Sequence, residues 1–199
     1  MNIKKAYFLK SCVKNSQFPE YAYPEFAFFG RSNVGKSSLL NMLLSQKNLV
    51  KTGSRPGVTQ TINFFIVNDN TSFADLPGIG YAKLPKSIKK QFAPMIKSYI
   101  TSRDNLRLAF LLVDARRTPG DYEQDLINLL VENEIPVAIT LTKCDKLSKN
   151  ELSKSISNIS KTLNINADSI FITSSKTNAG RKELLSLIDD FSSGKQSKN

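Results

Sequence analysis

The feature that most constrains this chain is a glycine-rich turn between an apolar run and a leucine-rich run. The apolar run spans residues 26–29, and the leucine-rich run, residues 38–44, is typical of a helix. Between them, residues 30–37 read GRSNVGKS, which matches a phosphate-binding loop in its glycine spacing and its closing Lys-Ser pair. A loop of this kind joins a buried strand to a helix, so the segment predicts an α/β fold.

The loop has the chemistry of a phosphate cradle. Glycine lets the backbone approach an oxyanion, and successive N–H groups at a helix N-terminus bind negative charge. Lys36 is expected to reach the β- and γ-phosphates, and the Ser37 hydroxyl to bind Mg²⁺. A tight turn without a ligand is the alternative, but the strand and helix on either side favour a nucleoside triphosphate. The residues predicted to contact the phosphates are Gly30, Arg31, Ser32, Asn33, Val34, Gly35, Lys36, Ser37 and Ser38.

Composition narrows the class of protein. A chain of 199 residues fits one domain, and the lack of histidine excludes histidine bases, histidine metal sites and Ser/His or Cys/His nucleophile pairs. Two cysteines, Cys12 and Cys144, favour a reducing compartment over a disulfide framework. The longest uninterrupted apolar run, residues 108–113, is too short to span a membrane. No signal-peptide core follows Lys4 and Lys5, so a cytoplasmic location is predicted.

The net charge of +11 has two explanations. One is a lysine-rich surface facing solvent, and the other is an anionic macromolecular partner such as RNA. The distribution favours the partner, because seven basic residues lie between Ile79 and Arg107 against one acid, Asp104. Apolar residues at helical spacing from Ile88 to Ile100 predict an amphipathic helix there, which could be an ordinary surface helix or an RNA-binding one. The seven basic residues are Lys83, Lys86, Lys89, Lys90, Lys97, Arg103 and Arg107.

Strands and helices alternate along the rest of the chain. Strands are predicted at residues 61–67, 71–75, 106–114, 136–141 and 169–173. Asp121 with Gln124, and Ser148 with Glu151, resemble capping boxes that begin two helices, and a further helix follows Gly180. The predicted fold class is a doubly wound α/β sheet, mostly parallel with one antiparallel strand. Helices lie on both faces, and ligand sites lie at the carboxyl ends of the strands.

The domain organisation is predicted to be simple. Residues 1–21 form an N-terminal extension with an extra strand packed on the domain, residues 22–191 form a nucleotide-binding domain, and the polar tail 192–199 is disordered. Residues 48–60 contain glycine and proline without periodicity, which indicates a long functional or mobile loop.

A threonine in this loop is expected to supply a second Mg²⁺ ligand by closing over the γ-phosphate. Thr52, Thr59 and Thr61 are the candidates. Thr59 is preferred, because Thr61 already belongs to a strand and Thr52 lies far from it.

Another motif, Asp75-Leu76-Pro77-Gly78, ends the predicted strand at 71–75. Asp75 can hold Mg²⁺ through its water shell, and the Gly78 N–H can meet the γ-phosphate, so the segment would distinguish triphosphate from diphosphate. An ordinary turn has the same pattern, but the phosphate-binding loop upstream favours the functional interpretation.

The segment Thr142-Lys143-Cys144-Asp145 follows a predicted strand and indicates guanine specificity. The Asp145 carboxylate can accept from both the N1–H and the 2-amino group of guanine, whereas adenine presents an acceptor at N1 that would repel it. The aliphatic stem of Lys143 would lie along the base plane. Residues 173–175 (Thr173, Ser174 and Ser175) could present backbone N–H groups to guanine O6, or form an ST-turn before the last helix. Together these motifs predict GTP rather than ATP.

These residues are similar to those of the EngB family of bacterial GTPases, within the Era/EngA group. The matching stretches are GRSNVGKSSLLN (30–41), SRPGVTQTINFF (54–65), DLPGIGYA (75–82), TKCD (142–145) and TSS (173–175). The resemblance covers about residues 5–191 and implies a Ras-like P-loop GTPase fold that binds GTP and Mg²⁺. It also implies a switch role in large ribosomal subunit assembly and a link to cell division and septation. Thr142 departs from the Asn of many GTPases, which removes one side-chain amide bond.

The resemblance also implies which residues act on the nucleotide. The loop residues expected at the nucleotide are Gly57, Val58, Thr59, Gln60 and Thr61. The expected catalytic residues are Lys36, Asn33, Thr59 and Gly78, and the expected metal ligands are Ser37, Thr59 and, through water, Asp75. An rRNA contact would use Lys83, Lys86, Lys89, Lys90 and Lys97 in a monomeric protein.

Hydrolysis is expected to be slow. Well-studied GTPases place a water-orienting Gln after the Asp-x-x-Gly motif, where this chain has the apolar Ile79. Gln60 is a conceivable but less favoured substitute, so a partner or a cation is expected to complete the site. Resemblance to potassium-activated GTPases implies that Asn33 holds K⁺ near the phosphates; capping of the loop backbone is its other explanation.

Two further classes of function compete with the ribosomal switch. A P-loop phosphotransferase would need an acceptor pocket and a lid, for which the chain has no spare segment. A GTPase acting directly on the division machinery or the membrane is the stronger alternative, although no lipidation site or amphipathic anchor supports it.

Overall fold

The computed structural model describes residues 1–50, 61–78 and 86–194, with the backbone alone for residues 86–93. Within these residues the chain forms a seven-stranded sheet and five α-helices. The strands are β1 (Ala6–Cys12), β2 (Glu25–Gly30), β3 (Ile62–Val67), β4 (Thr71–Asp75), β5 (Leu106–Asp114), β6 (Val137–Thr142) and β7 (Phe171–Ile172). The helices are α1 (Lys36–Leu44), α2 (Lys86–Ser102), α3 (Asp121–Glu132), α4 (Lys149–Leu163) and α5 (Arg181–Ser192).

The sheet has the strand order β1-β3-β4-β2-β5-β6-β7. β3 runs antiparallel to both of its neighbours, and the pairs from β4 through β2, β5 and β6 to β7 are parallel. The predicted fold class, a mostly parallel sheet with one antiparallel strand, is therefore confirmed. Parallel pairing brings the carboxyl ends of β4, β2, β5 and β6 to one edge of the sheet, where α/β proteins bind ligands.

Two apolar layers hold the helices against the sheet. One contains side chains of α2, α3 and α4, and the other contains those of α1 and α5. Every residue of β2 is buried, as expected for a parallel strand covered on both faces. Phe28 stacks on Phe110 of the neighbouring strand, with ring centroids 4.8 Å apart. This packing holds the loop after β2 on a rigid support.

Helix starts agree with the capping predictions in one case and differ in another. The Glu151 carboxylate accepts from the Ser148 N–H at 2.8 Å, so the predicted box at the start of α4 is confirmed. At α3 the cap is Gly120, whose N–H donates to Glu123 Oε2 at 2.9 Å. The pairing of Asp121 with Gln124 was wrong by one residue, since Glu rather than Gln reaches back to the cap.

Strand boundaries also differ at the carboxyl half of the chain. β7 has only two residues, because the first part of the predicted strand 169–173 belongs to a 3₁₀ turn at Ala167–Ser169. β6 begins and ends one residue later than predicted, which places Thr142 within the strand.

The amino ends of the strands enclose a buried ionic network around Glu25. The Glu25 carboxylate accepts from Arg103 at 2.9 and 2.7 Å and from the Tyr99 hydroxyl at 2.7 Å. Tyr21 at 2.6 Å and Ser72 at 3.0 Å complete its contacts. Arg103 therefore does not contribute to the exposed basic surface, contrary to the sequence prediction.

β1 lies at one end of the sheet and pairs with β3 alone. Its register slips between Phe8 and Lys10, which forms a bulge at Leu9. Among the described residues no helix is both long enough and apolar enough to cross a bilayer.

Candidate nucleotide-binding site

The phosphate-binding loop leaves β2 with a backbone that its glycines make possible. A Cβ on Gly30 would lie 2.9 Å from Val34 Cγ1 and 3.1 Å from the Leu112 carbonyl oxygen, so only glycine fits between them. Gly35 has φ +107°, which side-chain-bearing residues rarely adopt, and it directly precedes α1. The loop therefore presents the N-terminus of α1 at the carboxyl edge of the sheet, in the orientation that binds anions.

The Asp-x-x-Gly motif lies against this loop. The Lys36 ammonium donates to Asp75 Oδ1, and both side chains are nearly buried. The Ser32 hydroxyl donates to the Gly78 carbonyl at 2.8 Å. Register accounts for this meeting, because β2 and β4 pair Phe28 with Asp75. Two motifs whose contacting residues lie 39 apart in the chain thus meet in the fold.

The guanine motif is tied to the same loop by two side chains. The Thr142 hydroxyl donates to the Val34 carbonyl at 2.6 Å, and Lys143 Nζ donates to the Asn33 carbonyl at 2.6 Å. Thr142, the departure from the usual Asn, therefore makes a structural link of its own. Asn33 has φ +64°, a conformation that Asn tolerates better than most residues, which gives a backbone reason for Asn at this place.

Asp114, at the end of β5, was not identified from the sequence. Its carboxylate accepts from Lys143 Nζ at 3.0 Å and from the Arg116 guanidinium at 2.9 and 2.7 Å. Burial acts to raise the pKa of Asp114, but the hydrogen bonds from Arg116 and Lys143 together hold it well below its ordinary range. Asp114 stays ionised and fixes the Lys143 ammonium. The sequence could have revealed Asp114, because it is a carboxylate at the carboxyl end of a buried strand, where α/β proteins bind ligands.

Asp145 is exposed, and Ser174 orients it. The Ser174 hydroxyl donates to Asp145 Oδ1 at 2.7 Å, and this bond is the main cause that lowers the pKa of Asp145. The Ser174 Oγ also accepts from the N–H groups of Lys176 and Thr177 at 3.3 Å each, so the ST-turn, one of the two alternatives for this segment, is present. The turn and the Asp145 carboxylate are thus parts of one arrangement.

Of the backbone N–H groups of residues 173–175, which could bind guanine O6 according to the sequence, two are already hydrogen-bonded within the protein. The Thr173 N–H donates to the Leu141 carbonyl at 2.8 Å, and the Ser174 N–H donates to the Ala179 carbonyl at 3.2 Å. Ser175 keeps an N–H with no hydrogen bond to any described residue. Cys144 is buried, and its thiol donates to the Leu141 carbonyl at 3.5 Å.

A cleft lies beside the phosphate-binding loop and combines residues of that loop with residues outside the predicted motifs. Its walls are residues 31–34, residues 112–114, the segment 117–119 and Glu123. Arg31 Nε lies 3.8 Å from Glu123 Oε1 across it. The cleft shows that the outer side of the loop is open.

Several predicted site residues lie outside the described residues. These are Gly57, Val58, Thr59, Gln60, Ile79 and Lys83, together with the side chains of Lys86, Lys89 and Lys90. Thr61 is described, directly before β3, and its hydroxyl donates to Asn63 Oδ1 at 3.1 Å.

Comparison with known proteins identifies the family. Residues 25–143 match the model of a family described as 50S ribosome-binding GTPase. The chain is 51% identical to a probable GTP-binding protein EngB of Desulforapulum autotrophicum, over 95% of this chain and 97% of that protein. A probable GTP-binding protein EngB of Fusobacterium nucleatum is 45% identical, over 96% and 98% of the two chains.

A solved structure agrees with these relatives. The crystal structure of a probable GTP-binding protein EngB matches with a TM-score of 0.70 at 27% identity, over 84% of this chain and 97% of that chain. The expected Ras-like GTPase fold is confirmed. The chain belongs to the EngB family of GTP-binding proteins.

Proposed function

We propose that the protein is a switch that binds GTP in preference to ATP and hydrolyses it slowly. The observation that carries this proposal is the pair of links from Thr142 and Lys143 to the phosphate-binding loop. These links hold the base-reading carboxylate of Asp145 at a fixed distance from the phosphate cradle. One rigid frame therefore receives both ends of a guanine nucleotide.

Calorimetric titration with GTP, ITP and ATP in the presence of Mg²⁺ tests the specificity. GTP should bind best and ITP less well, because inosine lacks the 2-amino donor that Asp145 accepts. ATP should bind least, since its N1 acceptor faces the carboxylate. Equal affinities for GTP and ATP would contradict the assignment.

The oxygen donors of the site fit a magnesium ion. Ser37 follows Lys36 on the first turn of α1, and Asp75, whose Oδ1 accepts from the Lys36 ammonium, would bind the ion through water. Hydroxyl and carboxylate oxygens are the ligands that Mg²⁺ prefers, and Thr59 is the proposed further ligand. When bound, the ion neutralises charge that develops on the phosphates.

Slow hydrolysis is proposed because the chain lacks the residues that usually orient the attacking water. Ile79 occupies the usual Gln position, and the chain contains no histidine. Lys36 binds the phosphates and Gly78 contributes its N–H, but neither activates a nucleophile. We propose that a partner or K⁺ at Asn33 completes the site. Turnover measured in KCl and in NaCl tests the cation, and equal rates would argue against it.

The ribosome is the proposed partner. The family model carries the description 50S ribosome-binding GTPase, and Lys97 lies exposed on α2 in a chain with net charge +11. The protein would act in large-subunit assembly as a cytoplasmic monomer, with its link to cell division arising from that role. Residues 1–21 would pack on the GTP-binding domain.

Sedimentation of the GTP-loaded and GDP-loaded protein with large ribosomal subunits tests this role. Replacing Lys86, Lys90 and Lys97 by Gln should weaken association in a salt-dependent manner and leave GTP affinity unchanged. Undiminished association would show that α2 is not part of the ribosome interface. Absence of any association of the unaltered protein would favour direct action on the division machinery.

A further inference from the structure

The edge strand β1 and the residue that follows it carry a cluster of exposed apolar side chains. Six large hydrophobic residues among those described are exposed, and four of them belong to β1 or its end. These four are Tyr7, Phe8, Leu9 and Val13, with exposed fractions of 37, 47, 38 and 42%. We call them, together with Lys4, Lys10 and Lys14, the N-terminal patch. Isolated exposed apolar residues are ordinary, but a cluster of them indicates an interaction surface.

The position of β1 makes this patch accessible from several directions. β1 is the last strand of the sheet on its side, and five consecutive residues, from Tyr7 to Ser11, are exposed. Register pairs Tyr7 with Ile66, Phe8 with Phe65 and Lys10 with Phe64. Tyr7 and Lys10 therefore lie on one face of the sheet and Phe8 lies on the other, so the patch is reached from both faces around the edge. The Phe8 ring meets Phe65 edge-on at 5.7 Å, so its ring is held in place while nearly half of the residue stays exposed.

The charge of the patch is uncompensated. Lys4, Lys10 and Lys14 make no salt bridge with any residue that the structure describes. In the sequence the first acidic residue is Glu20. Lys5 alone is paired, with Asp69 Oδ2 at 3.0 Å, and its ammonium also lies 5.1 Å from the centre of the Tyr7 ring. Lysine at an edge strand can serve to prevent aggregation, but that purpose does not explain exposed aromatic rings beside it.

The patch continues into the surface proposed to contact the ribosome. Asn15, next to Lys14, bonds the Ser98 side chain of α2. Ser98 follows the exposed Lys97 in that helix. The lysines of β1 and of α2 therefore lie on adjoining elements.

We propose that the N-terminal patch binds single-stranded RNA that passes around the exposed edge of β1. One base would stack on Tyr7, on the face that carries Lys10, another would stack on Phe8 on the opposite face, and the lysines would contact the phosphates. Exposed rings flanked by unpaired cations are the combination that binds single strands without sequence preference. Pairing with a second copy of β1 is disfavoured, because it would bring two lysine-rich strands together. This inference rests on the proposed ribosomal function and locates an RNA contact within it.

The test uses the full chain and a labelled single-stranded oligoribonucleotide, followed by fluorescence anisotropy over a series of KCl concentrations. Tyr7→Leu with Phe8→Leu keeps apolar bulk but removes the aromatic rings, and should lower affinity on the order of tenfold. Lys10→Gln with Lys14→Gln should reduce the slope of log affinity against log salt by about 1.4. Lys154→Gln with Lys161→Gln on α4 and Val131→Ser on α3 are matched controls and should change neither quantity.

Sedimentation with large subunits, run in parallel, separates this inference from the proposed function. If the unaltered protein sediments and both patch variants sediment equally well and bind RNA unchanged, the inference is overturned and the function stands. If the patch variants lose subunit binding but keep RNA affinity, the partner is a protein and the RNA assignment is overturned. If the unaltered protein binds RNA through the patch but fails to sediment, the ribosomal function fails instead. Equal losses in patch and control variants would show non-specific attraction and also overturn the inference.

Discussion

The two ends of the parallel strands each bury a carboxylate beside an arginine, but they use it differently. At the amino end, the partners of Glu25 are Tyr21, Ser72, Tyr99 and Arg103, which are held by the sheet, by α2 and by the segments beside them. Burial, and then the charge of Glu25, raise the pKa of Tyr99, which stays a neutral donor. This end is closed, with Glu25 fully buried.

At the carboxyl end the bonds run to loops that carry the site motifs. Asp114 holds Lys143, which in turn holds the Asn33 carbonyl, and Ser174 holds Asp145. Asp145 remains exposed, with oxygens available to a base. The network at the amino end is saturated by groups of the fold itself, whereas the one at the carboxyl end leaves Asp145 exposed beside the loop, as the proposed nucleotide site requires. Changes at the two ends should therefore separate stability from nucleotide affinity.

The largest effect is expected at the amino end. Glu25→Gln should lower the free energy of unfolding by about 3–5 kcal/mol, because Arg103 would remain buried without its counter-charge. Urea denaturation measures this loss. The double change Glu25→Leu with Arg103→Met should recover much of it. GTP affinity of the folded Glu25→Gln protein should be unchanged, and a large loss of affinity would show that the two ends are coupled.

The next effect is expected at Asp145, the proposed base-reading carboxylate. Asp145→Asn should lower GTP affinity on the order of a hundredfold, because one acceptor becomes a donor facing guanine donors. Its unfolding free energy should stay close to that of the unaltered protein. Xanthosine triphosphate, which has a carbonyl in place of the 2-amino group, should bind this variant better than it binds the original. Calorimetry with GTP and xanthosine triphosphate measures both affinities, and an Asp145→Asn variant that binds xanthosine triphosphate no better than the unaltered protein does would contradict the assignment.

A smaller effect is expected at Asp114, which holds the lysine that links the guanine motif to the phosphate-binding loop. Asp114→Asn keeps the shape of the side chain but removes the charge that holds Lys143, and should weaken GTP binding about tenfold. Arg116→Gln is the matched control, with a smaller expected loss since it leaves the Asp114–Lys143 bond in place. In a double-mutant cycle with Lys143→Met, the two losses should not add. Simple additivity would mean that Asp114 does not act through Lys143.

The same carboxylate should give acid sensitivity to the fold. The pKa of Asp114 is depressed in the folded state, so its contribution to stability is present above the ordinary value of 3.8 and is lost as pH falls below it. The difference in unfolding free energy between the unaltered protein and Asp114→Asn should therefore be widest near neutral pH. It should narrow as pH falls below about 4. A constant difference over this range would contradict the assignment.

The smallest effect is expected at the residue that orients Asp145. Ser174→Ala should lower GTP affinity about fivefold, the effect of losing one hydrogen bond to the carboxylate. Ser175→Ala is the control, because its hydroxyl bonds no described residue, and it should leave affinity unchanged. Equal losses would show that the turn, and not the hydroxyl, determines the orientation of Asp145.

Sequence patterns found the residues whose roles depend on local structure. The loop around Gly35 and the box at Ser148 are recognisable because a few consecutive residues determine their conformations. The cap at Gly120 was missed by one position, because Asp121 and Gln124 offered a second pattern in the same segment. Arg103 looked like a surface cation, since nothing near it in the sequence reveals Glu25.

The sequence by itself determined the α/β class and the position of the glycine-rich loop between β2 and α1, and it predicted a base-reading role for Asp145. Only the tertiary structure decided which charges meet. Asp114 lies 29 residues from Lys143, and Glu25 lies 78 residues from Arg103. Their pairing depends on strand order and register, and therefore on side chains throughout the core. A local motif contains no information about that order, so the network that joins the guanine motif to the phosphate-binding loop became visible only in the folded chain.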